Sequence, residues 1–152
     1  MQSARLFLLA VLTMFMVTSC SGICSDGLGS SSGEDAVPGA VPGDILKDVN
    51  FPFDSASLTS AAKSSLKTSA EWLKANPSKK VVIEGHCDER GTVEYNLVLG
   101  DKRARSVYDY LRGLGISASQ MSTISYGKEF PLDPAHNEAA WAKNRRAHFA
   151  IK

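Results

Sequence analysis

The sequence has almost no net charge, which limits the partners that its electrostatic field can attract. Its 17 Lys and Arg side chains are balanced by 16 Asp and Glu side chains, so the formal charge is only +1. Proteins that bind nucleic acid through its phosphates need a clear excess of basic residues. The composition therefore predicts no nucleic-acid partner, and any charge that serves function must act locally.

Cysteine is also scarce, and the cysteines that exist follow no regular spacing. Cys20, Cys24 and Cys87 are too few for a disulfide framework or a four-ligand zinc site. The run His86-Cys87-Asp88 contains residue types that serve catalysis and metal binding, but neighbours on a strand point to opposite faces. We therefore predict no metal, no cofactor and no catalytic residue. Cys87 is interpreted as a small buried thiol in a protein that is not an enzyme.

A long hydrophobic run is missing as well. The apolar stretch over residues 6–16 follows Arg5 and is shorter than the roughly 20 residues that a membrane helix needs. This pattern is typical of a secretory signal, and the sequence VTSC that ends at Cys20 resembles the lipobox of bacterial lipoproteins. We predict a signal peptide over residues 1–19 and lipidation of Cys20. The alternative is an ordinary cleaved signal that leaves Cys20 as a plain thiol.

The residues after Cys20 bear on where the protein resides. Several acyl chains would anchor it without a membrane-spanning helix, because each buried methylene adds about 0.8 kcal/mol. Ser21 stands where lipoproteins retained at the inner membrane typically carry Asp, so resemblance to that sorting rule favours the outer membrane, with the domain facing the periplasm. Residues 20–43 are rich in Gly, Ser and Pro, which predicts a flexible tether.

From residue 44 to residue 152, strand patterns alternate with helix patterns and predict one domain. Helices are predicted over residues 60–76 and 93–114, where apolar residues recur at helical spacing and Pro77 and Gly115 stop the pattern. A short helical turn is predicted over residues 137–142. Strands are predicted over residues 49–53, 80–86, 121–125 and 146–151, with a turn at Tyr126-Gly127. This βαβαββ order predicts an α/β sandwich whose helices pack on a single mixed sheet.

Charged and amide side chains collect where the second predicted strand meets the second long helix. Asp88 follows the strand, and Asn96, Leu99 and Arg103 are spaced so that they share the helix face that points toward it. A carboxylate and a guanidinium that flank one ligand match a zwitterionic amino-acid head group, with Arg binding the ligand carboxylate in bidentate fashion. meso-Diaminopimelate ends in such a group. The alternative is that Asp88 and Arg103 only form a salt bridge between loop and helix.

Three segments of the domain carry a family resemblance. They read GHCDERGTVEYNLVLGDKRA from Gly85, ISYGKEFP from Ile124 and AAWAKNRRAHF from Ala139. Together with the lipobox and the tether, they resemble the peptidoglycan-associated lipoproteins, which are members of the OmpA-like family. The resemblance covers nearly the whole chain.

The resemblance implies a groove that binds peptidoglycan non-covalently. Asp88 and Arg103 would hold the diaminopimelate end of the stem peptide. The other residues implied to line or border the groove are Asn96, Leu99, Phe53, Asp54, Arg90 and Thr92. The sequence departs from the family at Cys87, Lys102 and Trp141, where threonine, arginine and tyrosine are usual. None of these departures removes the proposed pair of charges.

The resemblance also implies a cellular role. Members of the family link the outer membrane to the wall and bind the periplasmic β-propeller protein of the Tol system through an overlapping surface, which implies a part in envelope integrity and in outer-membrane constriction at division. Two other readings stay open. One is a module that binds only proteins, and the other is an OmpA-like wall anchor of a motor or secretion apparatus.

Several further polar residues receive no function from the sequence. His136 lies in a loop and His148 in the last predicted strand, where solvated or packed imidazoles are ordinary. Arg145 and Arg146 enter that strand without a wider basic surface, which favours a structural role or a contact at the groove edge. Lys128 is interpreted as part of a solvated turn.

Overall fold

The computed structural model of the protein describes residues 45–152, which contain almost all of the domain predicted at 44–152. The predicted signal peptide, the tether and Cys20 lie outside the described residues. The interpretations placed on them stay predictions.

Strands and helices alternate along the described range much as the sequence predicts. The strands are β1 (Val49–Asn50), β2 (Val81–His86), β3 (Met121–Gly127) and β4 (Arg146–Ile151). The helices are α1 (Ser60–Ala75), α2 (Val93–Gly113) and α3 (Glu138–Asn144), and a turn of 3-10 helix spans Ala118–Gln120. Within this range no helix is long and apolar enough to cross a membrane.

Each of the three helices begins at a side chain that caps it. The Thr59 hydroxyl accepts from the backbone of α1, the Thr92 hydroxyl accepts from the Tyr95 amide of α2 at 3.2 Å, and the Asn137 side chain does the same for α3. Such caps satisfy amide groups that have no partner within the helix. Two residues after the end of α2, Gly115 has a positive φ of 93°, which residues other than glycine rarely adopt. The helix therefore cannot continue past this position.

The sheet is mixed, as predicted, with strand order β1-β4-β2-β3. β2 and β3 run parallel and are joined by α2, whereas β4 lies between β1 and β2 and is antiparallel to both. The carboxyl end of β2 therefore lies beside the carboxyl end of β3 and close to the start of β4. This arrangement brings three parts of the chain to one edge of the sheet.

One face of the sheet carries the hydrophobic core. Val81 and Ile83 of β2 and Phe149 of β4 point toward α1 and α2, because alternate residues of a strand face the same side. The intervening residues, Glu84 and His86 among them, point to the opposite face, which α1 and α2 leave open. The core is completed by Leu46, Val49, Phe51, Ala62, Leu66, Ala70, Leu73, Ala104, Val107, Leu111, Ile116, Met121 and Ala147.

The backbones of β2 and α2 approach each other closely at two glycines. A Cβ atom added to Gly85 would lie 1.9 Å from the Gly100 carbonyl oxygen, and one added to Gly100 would lie 2.3 Å from Ser125 Oγ. No side chain fits at such distances, so glycine is required at both positions. The contact fixes where the first half of α2 sits relative to the end of β2.

Two predicted boundaries are wrong. β1 ends at Asn50 rather than residue 53, because Pro52 has no amide to donate, although the Phe51 amide still reaches the Arg145 carbonyl at 2.9 Å. The residues predicted as a turn, Tyr126 and Gly127, belong to β3 instead. A bulge between Gly85 and His86 shifts the register, so that His86 lies opposite Gly127.

Candidate functional site

A cavity of about 240 Å³ lies where β2 ends and α2 begins, and we call it the β2 cavity. Three segments form its wall: the loop after β2, the first half of α2 and the turn after β1. The lining residues are Phe53, Asp54, Cys87, Asp88, Arg90, Gly91, Tyr95, Asn96, Leu99 and Arg103. Both charges singled out from the sequence, Asp88 and Arg103, therefore open onto the same cavity.

Asp88 is almost completely buried and is held by two arginines. Its Oδ2 accepts from Arg90 Nη2 at 2.6 Å and from Arg145 Nη1 at 3.2 Å, and its Oδ1 accepts from the Arg90 amide. Burial by itself raises the pKa of Asp88, but the hydrogen bonds from Arg90 and Arg145 outweigh it and leave the pKa below the usual range. The group is therefore a fixed carboxylate.

Arg103 is fully buried and ties the end of β2 to the turn after β1. Its Nε donates to the Ser55 carbonyl at 2.9 Å and its Nη2 to the Pro52 carbonyl at 3.2 Å. Its Nη1 donates to the His86 carbonyl at 2.9 Å and contacts Cys87 Sγ at 3.3 Å. A guanidinium has five N–H donors, so this arrangement leaves one for a ligand. The bidentate grip expected from the sequence requires Arg103 to release one of these contacts.

Asn96 and Thr92 organise the start of α2 in different ways. The Asn96 side-chain amide donates to the Arg90 and Thr92 carbonyls at 2.8 and 3.0 Å, so only its Oδ1 is left for a ligand. Thr92 itself lies outside the cavity lining, since its hydroxyl caps α2. Asn96 therefore lines the cavity as an acceptor, and Thr92 supports the loop.

The mouth of the cavity is built from aromatic and charged side chains. The Arg90 guanidinium lies between two rings, 4.0 Å from the centroid of Phe53 and 4.3 Å from that of Trp141. The Tyr95 hydroxyl donates to Asp54, whose φ of 50° places it in the left-handed region. Phe53 and Tyr95 remain more than half exposed, so apolar surface surrounds the opening.

The charges of the β2 cavity balance each other. Asp54 and Asp88 supply two carboxylates, and Arg90 and Arg103 supply two guanidinium groups around one space. With the Asn96 oxygen added, the cavity offers acceptors for an ammonium group and donors for a carboxylate. Such a lining is matched to a zwitterion rather than to a ligand that carries a single charge.

A wider depression of about 610 Å³ adjoins the β2 cavity on the other side of the loop after β2. There Glu89 accepts from Trp141 Nε1 at 2.8 Å and pairs with His136 Nδ1 at 2.5 Å. Lys128 donates to the Gly91 carbonyl at 2.7 Å and so supports the same loop. His136 and Lys128, which the sequence left without a role, therefore brace the rim of the site.

Sequence reasoning did not name every contributor to the site. Tyr95 lines the cavity, and its spacing of four from Leu99 and eight from Arg103 was a signal that could have found it. Gly91 lies in the loop before α2, where its φ of 92° suits glycine. The sequence favours a structural role or a contact at the groove edge for Arg145, which fits its ion pair with Asp88, but it did not identify that partner. That contact joins distant parts of the chain, and no local pattern indicates it.

Cys87 shares a site with its neighbour Asp88, contrary to the prediction from strand alternation. β2 ends at His86, so the alternation of faces does not extend to Cys87 and Asp88, and both line the β2 cavity. His86 does point to the opposite face. Cys87 is nevertheless the buried thiol that was expected, at 2% exposure. Burial raises the pKa of the Cys87 thiol and outweighs the lowering effect of Arg103, so the thiol stays protonated.

No group of three or more His, Cys, Asp and Glu side chains within residues 45–152 is placed to hold a metal ion. The acidic groups of the β2 cavity are instead engaged by arginine and tyrosine. Within the described domain, the arrangement thus favours recognition through hydrogen bonds and ion pairs.

Comparison with known sequences gives consistent matches. The model of the OmpA family matches residues 50–145. The chain is similar to the peptidoglycan-associated lipoprotein of Agrobacterium fabrum, with 39% identity over 149 residues that cover 91% of this chain and 84% of the relative. It is equally similar to the peptidoglycan-associated lipoprotein of Haemophilus influenzae, with 39% identity over 137 residues that cover 88% of this chain and 89% of the relative.

Solved structures give a similar result. The crystal structure of the peptidoglycan-associated lipoprotein from Burkholderia pseudomallei superposes with a TM-score of 0.68 at 45% identity, covering 69% of this chain and 89% of that chain. The carboxyl-terminal domain of Helicobacter pylori MotB superposes with a TM-score of 0.66 at 19% identity, covering 70% of this chain and 84% of that chain. At such low identity, the second likeness concerns the fold alone.

Proposed function

Because the chain belongs to the OmpA family and, within it, to the peptidoglycan-associated lipoproteins, we propose that it binds peptidoglycan non-covalently and catalyses no reaction on it. The ligand of the β2 cavity is the free end of meso-diaminopimelate in the stem peptide. The observation that carries this proposal is the pairing of two carboxylates with two guanidinium groups around one cavity.

Each polar group of the cavity has a role in this proposal. The ligand ammonium binds among Asp54, Asp88 and the Asn96 oxygen, which are acceptors that the protein already holds in place. The ligand carboxylate binds the remaining N–H of Arg103 and the guanidinium of Arg90 at the mouth. A group that carries only one of these charges would leave the other part of the lining unmatched.

The dimensions of the cavity limit how much of the wall enters it. A volume of about 240 Å³ is below the roughly 300–1,000 Å³ that encloses drug-sized ligands. The cavity therefore takes the head group of one residue, while the rest of the stem peptide and the glycan lie across the rim. Phe53, at 58% exposure, and the partly buried Leu99 provide apolar contacts at the entrance.

The test is co-sedimentation of variants with purified peptidoglycan. Asp88→Asn keeps the size of the side chain and removes the charge that faces the ammonium, so the bound fraction should fall about tenfold or more. The matched control is Asp101→Asn, which alters an exposed carboxylate on α2 that pairs with Arg105 and does not line the β2 cavity. Thermal unfolding of both variants establishes that they are folded.

Two outcomes separate the proposal from its alternatives. Undiminished sedimentation of a folded Asp88→Asn protein would contradict the role of the β2 cavity. Peptidoglycan that carries lysine in place of diaminopimelate lacks the carboxylate of the free end, so its binding should be weaker. Equal binding of the two kinds of peptidoglycan would contradict recognition of a zwitterionic group. It would mean that the wall binds to another surface of the protein.

A second candidate function is binding of the periplasmic β-propeller protein of the Tol system by a surface that overlaps the β2 cavity. The observation that favours a protein ligand is the exposed apolar surface beside the mouth, formed by Phe53, Tyr95 and Val98, each more than half exposed. Wall and protein would then compete, and exchange between them would serve outer-membrane constriction at division.

The competition has a direct test. Val98→Ser removes apolar surface outside the cavity lining and should weaken binding of the β-propeller protein while sedimentation with peptidoglycan is retained. Excess diaminopimelate-containing muropeptide should displace the β-propeller protein from the unmodified chain. Simultaneous binding of both ligands would contradict an overlapping surface.

A lipid anchor is also part of the proposed function. A lipidated Cys20 and a tether over residues 20–43 would hold the domain at the periplasmic side of the outer membrane, within reach of the wall. Mass spectrometry of the mature amino terminus tests this: a mass that includes acyl chains on Cys20 is expected. An unmodified Cys20 in the mature chain would contradict it.

A further inference from the structure

On the face of the sheet that α1 and α2 leave open, a cleft of about 410 Å³ lies on the other side of β2 from the β2 cavity. We call it the open-face cleft. It is lined by Glu84, His86, Tyr126, Phe130, Pro131, Leu132 and Arg146. Its volume falls within the roughly 300–1,000 Å³ that is usual for small-molecule sites.

Two buried polar side chains in this cleft lack hydrogen-bond partners among the described residues. His86 is 3% exposed, and neither of its ring nitrogens makes a well-aligned hydrogen bond, although the Phe130 backbone lies close enough to affect its pKa. Arg146 is 8% exposed, and its Nε and Nη1 make none either. Buried polar groups are almost always paired in proteins, so each of these atoms calls for a partner.

The nearest charged groups do not supply that partner. Glu84 Oε2 lies 3.8 Å from His86 Nε2, which is too long for a hydrogen bond. Asp48 Oδ2 lies 3.3 Å from Arg146 Nε but without hydrogen-bond alignment, and its other oxygen is engaged by His148 at 2.7 Å. The two side chains that carry these unpaired atoms line the open-face cleft, although the atoms themselves are almost fully covered.

The remaining wall of the cleft is apolar and exposed. Phe130 and Leu132 are 62% and 61% exposed, and the Phe130 ring packs edge-on against Tyr126 with 4.9 Å between centroids. Large apolar side chains that stand open beside buried donors are typical of a ligand site with a few convergent polar groups. The polar half of the cleft wall is thus suited to a polar or charged group of a ligand, and the apolar half is suited to the apolar body of the same ligand.

We propose that the open-face cleft is a second binding site, which takes a small organic carboxylate that carries an apolar or aromatic body. The carboxylate accepts from Arg146 and His86, and the body packs on Phe130, Tyr126 and Leu132. Glu84 and Asp48 flank the cation, so a doubly charged group such as phosphate is disfavoured relative to a single negative charge.

The protonation of His86 is consistent with this assignment. Burial, together with the nearby Arg146 and His148, lowers the pKa of His86 to about 4 against smaller opposing effects of Asp48 and the Phe130 backbone. At neutral pH the imidazole is uncharged and has one N–H to donate. The site does not depend on the function proposed for the β2 cavity, because the two cavities share no lining residue.

The test is a titration of the ¹⁵N-labelled intact protein, followed by backbone amide shifts. The probes are N-acetyl-phenylalanine, its carboxamide and the acetylated tripeptide Gly-Gly-Phe with a free carboxyl end. Saturable shifts of Glu84, His86, Phe130 and Arg146 are expected with both acids, with affinity lowered about tenfold for the carboxamide. If the tripeptide binds more tightly than N-acetyl-phenylalanine, the natural ligand is the carboxyl end of a polypeptide. If the two bind equally, the natural ligand is a free small acid.

Variants give the site a second, independent readout. Arg146→Gln should abolish the shifts, and the control Arg105→Gln, an exposed arginine on α2, should leave them unchanged. Because Arg146 is buried and its variant can fail to fold, Phe130→Ser on the exposed wall is the companion, with affinity expected to fall several-fold. Equal shifts for acid and carboxamide, shifts confined to the β2 cavity, or no saturable shift would overturn the proposal.

Discussion

The β2 cavity and the open-face cleft lie on opposite sides of the end of one strand, and they differ in how their buried polar groups are paired. In the β2 cavity, Arg103 makes three hydrogen bonds to backbone carbonyls, and Asp88 is held by Arg90 and Arg145. In the open-face cleft, the ring nitrogens of His86 have no partner among the described residues.

This difference separates two ways of building a site. A network whose members are paired holds its charges in place before a ligand arrives, so less ordering is needed on binding. Unpaired buried donors lower stability until water or a ligand reaches them. The β2 cavity is thus preorganised for the proposed ligand, whereas the open-face cleft would gain stability from one.

The largest effect is expected from removing the centre of the paired network. Arg103→Ala deletes the hydrogen bonds to the carbonyls of Pro52, Ser55 and His86 and leaves them buried without a donor. Bonds to a charged donor contribute about 1.5–3 kcal/mol each, so a loss of at least about 4 kcal/mol in the free energy of unfolding is expected. Urea denaturation measures it, with exposed Arg105→Ala as the control.

A loss below about 1 kcal/mol for Arg103→Ala would contradict the view that this network is fixed by the protein. The same result would mean that Arg103 is free to turn toward a ligand. The bidentate grip expected from the sequence would then be restored.

The next effect is a dependence of stability on pH that originates in the open-face cleft. The pKa of His86 falls from 6.5 to about 4 in the folded state, so between these values the unfolded state binds the proton and the folded state does not. Stability should therefore be lost as the pH falls through this window, by about 3 kcal/mol. His86→Gln should remove that loss in urea denaturation at pH 7 and pH 4.5.

His148 is expected to act in the opposite direction. Its hydrogen bond with Asp48 raises its pKa, which adds stability at low pH that is lost as the pH rises through the folded-state value. His148→Gln should therefore make the protein more sensitive to acid than the unmodified chain. An unchanged acid response in both histidine variants would contradict the opposite effects assigned to His86 and His148.

A smaller effect is expected from separating the two elements that shape the β2 cavity. Gly85→Ala places a Cβ against the Gly100 carbonyl and forces β2 away from α2. Overpacking of this kind costs about 1–3 kcal/mol. The matched control is Gly113→Ala at the end of α2, where an added Cβ meets nothing within 4 Å, and a slight gain in stability is expected. Thermal unfolding compares the two variants, and equal melting temperatures would contradict the close approach.

The smallest effect concerns the Cys87 thiol, which lines the β2 cavity. The Cys87 thiol donates to the Asn96 carbonyl and contacts Arg103 Nη1, both at 3.3 Å. Cys87→Ala should lower the free energy of unfolding by about 1 kcal/mol, while Cys87→Ser retains a donor and should lose less. The reverse order in urea denaturation would show that packing rather than hydrogen bonding holds this position.

Most of the fold was readable from the sequence because its signals are local. Caps, helical spacing and the stop at Gly115 predicted α1 and α2 to within a residue or two, and the closing strand was predicted at Arg146–Ile151 as observed. The end of β1 was not readable, because Pro52 decides it. The inclusion of Tyr126 and Gly127 in β3 was not readable either, because it depends on a bulge in the pairing of β2 with β3.

Residue spacing and chain order identified the part of the site that α2 and the loop before it carry, Asp88 included, and the family resemblance added Phe53, Asp54 and Arg90. Asn96, Leu99 and Arg103 share a face of α2 by spacing alone, and all line the β2 cavity. The contact between Arg145 and Asp88 crosses 57 positions, and the unpaired state of His86 depends on the packing of three strands. Neither feature can be predicted from the local sequence, because both depend on which strands become neighbours in the sheet.

The most direct measurement is a crystal structure of the protein with a muropeptide that ends in meso-diaminopimelate. The account predicts the ligand ammonium within hydrogen-bonding distance of Asp54 or Asp88, and the carboxylate of the same carbon facing Arg90 and Arg103. A muropeptide bound in the open-face cleft, or one whose zwitterionic end points to solvent, would contradict it.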